Sequence, residues 1–117
     1  MKYTESLKKN KDFRLVYNKG KSIANKYLVL YRLKNHKNGN RLGISVSKKV
    51  GNSVVRSRVK RIIKENYRLE EENITHPGFD FVIIARPAAK EATYQEINAA
   101  LMHLLKKSSV YIETDVG

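Results

Sequence analysis

The sequence predicts a single α+β domain. Three observations carry this. The chain has 117 residues with 41% hydrophobic side chains, enough for one core. Segments with two-residue alternation are mixed with segments of helical period. The segment Phe79–Ala85 is apolar on both faces, which marks a central strand covered on both sides.

The elements follow in order. A first helix is expected over about Lys9–Asn18, capped by Ser6 or Asn10, with Phe13, Val16 and Tyr17 on one face and Gly20 at its end. Ser22–Ala24 is expected to add a short strand. Tyr27–Leu33 alternates, with Tyr27, Val29, Tyr31 and Leu33 on one face and Leu28, Leu30 and Arg32 on the other. The stretch His36–Asn40 holds an Asn-Gly step and predicts a hairpin turn, making Arg41–Ser47 the return strand. A long helix runs over about Ser53–Glu71, with Val55, Val59, Ile62, Ile63 and Asn66 in one arc. Pro77-Gly78 predicts a turn before the central strand. Thr93 with Glu96 three residues on is a capping box that starts the last helix, whose core face is Tyr94, Ile97, Leu101, Leu104 and Leu105. Val110–Gly117 is expected to be a loose tail. With no repeat and no linker, the whole chain (1–117) reads as one domain, helices against a mixed or antiparallel sheet.

Charge directs the functional reading. Lys and Arg number 24 against 11 acids, a net charge of +13. The excess lies in the first 68 residues, whose only acids are Glu5, Asp12 and Glu65. A polyanion is therefore the expected partner, and nucleic acid fits better than an anionic membrane. With no Cys there is no thiol nucleophile and no disulfide. No apolar run reaches the roughly 18–20 residues of a membrane span, and the N-terminus lacks a secretory h-region, so a cytoplasmic protein is expected.

The motif with the most information is Ser45–Arg68, SVSKKVGNSVVRSRVKRIIKENYR. It holds Lys48, Lys49, Arg56, Arg58, Lys60, Arg61, Lys64 and Arg68 against the single acid Glu65. A solvated helix face usually intersperses acids as i, i+4 partners. Here the stripe Arg56, Lys60, Lys64, Arg68 lies beside the apolar arc, uncompensated. Lys48, Lys49 and Asn52 precede the helix start, where backbone amides favour phosphate. Phe13 and Tyr17, one helical turn apart, and Tyr31 can stack single-stranded bases, which suits RNA better than duplex DNA. Catalytic groups do not assemble: His36, His76 and His103 are scattered, and the basic half has no carboxylate pair. The residues themselves point to an RNA binder that leaves chemistry to something else.

These segments, with the upstream FRLVYNKGKSIANKYLVLY and the downstream FDFVIIARPAA, closely resemble the bacterial ribonuclease P protein family over about residues 7–109. The resemblance implies an αβββαβα domain, a two-layer sandwich on a four-stranded sheet with a left-handed βαβ crossover. It also implies the small subunit of a ribonucleoprotein that removes 5′ leaders from precursor tRNA, with catalysis in the RNA subunit and magnesium held through that RNA. The family's Arg-Asn-Arg motif reads Arg56-Ser57-Arg58 here. By the resemblance, Arg56, Ser57, Arg58, Lys60, Arg61, Lys64 and Arg68, with Lys48 and Asn52, contact the catalytic RNA. Phe13, Tyr17 and Tyr31 form an aromatic cleft for the single-stranded leader, with Ser47 and Lys49 near it. No catalytic residue and no assigned metal ligand fall on the chain, and the free protein is expected to be a monomer. The alternative from size and charge is a ribosomal or ribosome-assembly protein bound to folded RNA.

Overall fold

The structure, a computed structural model, describes residues 4–74 and 78–108. The elements are β1 (Thr4–Ser6), α1 (Asn10–Lys19), β2 (Lys21–Ala24), β3 (Leu28–Lys34), β4 (Asn40–Ser45), α2 (Ser53–Glu70), β5 (Phe79–Ala85) and α3 (Tyr94–Lys107). Short 3-10 turns at Glu71–Asn73 and Pro87–Glu91 follow α2 and β5. The expected tail Val110–Gly117 and Pro77 lie outside the described residues.

The sheet has five strands rather than four, in the order β1-β4-β5-β3-β2. The extra strand is β1, which pairs in parallel with β4 from Thr4↔Asn40 to Ser6↔Leu42. At three residues it is too short to show an alternation in the sequence. β5 is central as expected, antiparallel to β3 and parallel to β4. The expected β3–β4 hairpin does not form, because β5 lies between the two strands. The Asn38-Gly39 step is not where the chain reverses through positive φ; His36 is, at φ 58°. Asn35 organises this turn. Its Oδ1 accepts from the Lys37 amide, and its Nδ2 donates to the Gly39 carbonyl and to Asp80 of β5. The turn is therefore built to meet β5, not to zip β3 onto β4.

Alternation along β5 serves two cores. Phe81, Ile83 and Ala85 join Leu28, Leu30, Val59, Ile63, Leu101 and Leu104 under α2 and α3. Val82 and Ile84 face the other way, with Leu7, Val16, Phe13, Tyr17 and Tyr31 under α1. α1 is thus laid over one face of the sheet while α2 and α3 cover the other. Neither Ser6 nor Asn10 caps α1; Lys9 is the N-cap residue and makes no side-chain cap bond. The Thr93–Glu96 capping box of α3 is present in both directions.

Two buried polar residues tie the elements together. Asn66 of α2 is fully buried; its Nδ2 donates to the Ile62 carbonyl and its Oδ1 accepts from Asn98 of α3. Tyr67, also fully buried, shares a 3.0 Å hydrogen bond between its hydroxyl and that of Thr4. That bond fastens β1 to α2. Burial in turn pushes the Tyr67 phenol pKa above its ordinary value, partly offset by Thr4.

Candidate nucleic-acid interface

The site is built on the edge of β4. Pairing with β1 stops at Leu42, so the edge from Gly43 onward is open. α1 stands on one side of this edge and the first half of α2 on the other. Between them lies a cleft of about 840 Å³, with Phe13, Arg14 and Tyr17 on one bank, Ser53, Arg56, Ser57 and Lys60 on the other, and Ile44–Val46 as the floor. No acidic side chain lines it.

Each bank has a local cause. Phe13 and Tyr17 are four residues apart, so α1 presents both rings in one row, with centroids 6.3 Å apart. Phe13 can pack against β4 only because residue 43 is glycine: a Cβ there would sit 2.5 Å from the Phe13 Cζ. Tyr31 of β3 packs edge-on to Tyr17 at 5.1 Å and supports it from below. Burial raises the Tyr17 phenol pKa, and hydrogen bonding by Ser45 offsets part of that rise. The α2 bank starts from Asn52, whose side chain accepts from the Val55 amide as N-cap. Its buried arc of Val59, Ile63, Asn66 and Tyr67 orients the adjoining row Arg56, Lys60, Lys64 toward the cleft. α1 is held in place by Arg41. Its guanidinium grips Asp80 with two hydrogen bonds, at 2.8 and 2.6 Å, and reaches Asp12 of α1 at 3.4 Å. Burial alone would raise the Asp80 carboxyl pKa; hydrogen bonds from Arg41 and Asn35 outweigh it and hold the pKa below the usual range.

The sequence-expected residues therefore divide. Phe13, Tyr17, Arg56, Ser57 and Lys60 share the cleft. Lys64 reaches an adjoining hollow with Lys60 and Phe13. Tyr31 lies beneath Tyr17 rather than on the wall. Ser47, Lys48 and Lys49 occupy the exposed turn between β4 and α2, where Ser47 Oγ accepts from the Lys49 amide. Three arginines point elsewhere or pair locally. Arg58 donates to the Lys90 carbonyl at 2.6 Å, Arg68 pairs with Glu65 at 2.6 Å, and Arg61 is exposed. Arg14, Ser45 and Ser53 were missed. Arg14 follows Phe13 directly, and its basic side chain beside the aromatic pair is the signal that could have found it. Among the described residues no three His, Asp or Glu side chains gather as a metal site. No helix there is long and apolar enough to cross a membrane.

A family model described as Ribonuclease P matches residues 1–109. The chain belongs to the ribonuclease P protein family. It is 58% identical over 107 residues to the ribonuclease P protein component of Alkaliphilus metalliredigens, covering 92% of this chain and 96% of that protein. The component from Clostridioides difficile is 51% identical over 109 residues, covering 93% and 96%. Two solved family structures share the fold. The Staphylococcus aureus RNase P protein superposes with a TM-score of 0.83 at 43% identity, over 91% of this chain and 96% of that one. The Thermotoga maritima protein gives 0.80 at 34% identity, over 88% and 96%. The family membership does not favour the ribosomal alternative.

Proposed function

We propose that this chain is the protein subunit of ribonuclease P. In this reading it binds the catalytic RNA and the single-stranded 5′ leader of precursor tRNA and promotes 5′ maturation at low magnesium. The observation that carries this is the acid-free cleft, with two aromatic rings on one bank and Arg56 and Lys60 on the other. Such a cleft suits one strand: rings stack any base, and cations follow the backbone. Its width of choice matches a subunit that must accept many leaders.

The chain's residues bind and position; they do not cut. Phe13 and Tyr17 stack leader bases, and Arg56 and Lys60, which the resemblance gives to the catalytic RNA, are here assigned with Arg14 to leader phosphates because they line the same cleft as the rings. The outward arginines Arg58 and Arg61, with Lys48 and Lys49, are free of the cleft wall and meet the catalytic RNA. A net charge of +13 lowers the repulsion between two large RNAs, which reduces the divalent ion they need. Magnesium supplies its chemistry through the RNA subunit. Leader contacts exist for the precursor and vanish in the product, so release of mature tRNA is favoured. The chain acts in the cytoplasm, and free of RNA it is a monomer.

The test is cleavage of a precursor tRNA at low magnesium by the protein alone, by ribonuclease P RNA alone, and by both. Cleavage at the mature 5′ end only with both supports the proposal. No rescue by the protein refutes it, and activity of the protein alone would mean an active site on this chain.

A further inference from the structure

The cleft does not end at Phe13. Beyond the ring lies a second hollow of about 420 Å³, walled by Leu7 and Lys8 after β1, by Leu42–Ile44, and by Lys60 and Lys64 of α2. Phe13, Ile44 and Lys60 line both spaces, so they form one groove with the Phe13 ring as a partition.

We infer that this second hollow is a further nucleotide subsite, in which the bound single strand passes over Phe13 and seats another base against Leu7 and Ile44 with its phosphates on Lys8 and Lys64. The inference rests on the proposed leader-binding function and deepens it. Four observations carry it. The floor is apolar, with Leu7 and Leu42 almost fully buried. The rim is cationic on both banks, Lys8 on one and Lys60 with Lys64 on the other, and no acid lines it. Its volume lies in the range of about 300–1,000 Å³ usual for small-ligand sites. The fourth is the open strand edge. The Leu7 amide donates to the Leu42 carbonyl at 2.9 Å. Peptide groups two residues on point the same way, so those of Ile44 face the groove beyond the last β1 pairing. A base edge can meet them there. The base contact made on the Tyr17 side of Phe13 can thus be repeated beyond the ring, where Lys8 and Lys64 stand ready for the backbone.

The experiment uses the reconstituted holoenzyme and precursor tRNAs whose leaders are lengthened one nucleotide at a time. The wild type is expected to gain affinity in two steps, one for each side of Phe13. The exposed pair Lys8→Gln/Lys64→Gln is expected to shrink the second step and leave the first unchanged, because it removes the phosphate contacts of the second subsite alone. Its salt slope should drop by about one and a half units on long leaders only, at roughly 0.7 per single-strand phosphate contact. Equal loss at every leader length, or no loss, overturns the second subsite. Because the chain has no cysteine, single probes can be placed by Ser6→Cys and Ser53→Cys and loaded with a photocrosslinker. The two probes are expected to mark different leader nucleotides. A leader crosslink from Ser53→Cys alone overturns the second subsite but keeps the leader cleft. Crosslinks from both to the catalytic RNA alone overturn the leader cleft itself.

Discussion

Replacing Gly43 by Ala tests the aromatic bank without touching either ring. The added Cβ would stand 2.5 and 2.6 Å from the Phe13 Cζ and Cε1, against an ordinary contact of about 3.5–4.0 Å. The ring must therefore swing out by about an ångström. Gly43 lies in β4 without a positive φ, so alanine fits its backbone. The cost to folding is that of overpacking, about 1–3 kcal/mol. The cost to binding is separate. A ring displaced from β4 narrows the cleft and loses its stacking pose, which removes about 1–3 kcal/mol, or roughly 5- to 150-fold in Kd. The assay compares precursor and mature tRNA binding to the reconstituted holoenzyme, alongside thermal unfolding of the free protein. Precursor affinity should fall while mature tRNA affinity holds and the protein stays folded at assay temperature. Equal loss for both RNAs, or none for either, would refute the idea that Phe13 is a leader platform seated on Gly43.

Other perturbations follow from the same geometry. Removing Arg56, Lys60 and Lys64 together should flatten the salt dependence of precursor binding by about two units, at roughly 0.7 per contact, whereas Lys34, Lys37 and Lys107 removed together should change it little. Arg41→Met leaves Asp80 buried without its cation and should cost about 3–5 kcal/mol in chemical denaturation. It should also weaken a pH dependence. With Arg41 present, the depressed Asp80 pKa contributes stability that is full above the unfolded value of about 3.9 and is lost as pH falls through the folded value. Without Arg41 only the Asn35 hydrogen bond and the Lys37 charge oppose burial, so that acid-side loss of stability should shrink. Tyr31→Ala should weaken precursor binding more than mature tRNA binding, because Tyr17 loses its support; matching losses would make Tyr31 a structural residue only. Thr93→Ala removes a capping box and should lower stability by about 0.5–2 kcal/mol with leader discrimination unchanged.

What the sequence revealed depended on how local the cause was. The central position of β5 was legible because Phe81 and Ile83 face one core and Val82 the other, which leaves a continuous apolar run. The capping box of α3 and the inner arc of α2 were legible for the same reason: helical spacing records burial directly. The β3–β4 pairing was not, because an Asn-Gly step states that the chain turns and not which strand it meets. The partner choice is favoured by Asn35 and Asn40, whose side chains bond Asp80 and the Phe79 amide, 45 and 39 residues on. β1 was invisible because a three-residue parallel strand carries no period, and its anchor Thr4 finds Tyr67 only in the fold. In the candidate site, Phe13, Tyr17, Arg56 and Lys60 could be grouped from i, i+4 spacing and charge. That Arg58 turns to the Lys90 carbonyl and Arg68 to Glu65 could not, since both are set by neighbours outside that pattern or by competition within it.

The placement of β5 between β3 and β4 also constrains how the chain reaches this state. As the polypeptide grows, β3 and β4 are finished first, joined by a short turn, and each carries an open edge that the other could satisfy. Their native neighbour arrives only after all of α2 has been made. A hairpin closed early must reopen to admit β5, and reopening trades local pairs for distant ones, the slow kind of contact to form. The open edges are a hazard to a growing chain in the meantime. Asn35 and Asn40 favour the later arrangement, because their bonds to Asp80 and the Phe79 amide exist only once β5 is in place.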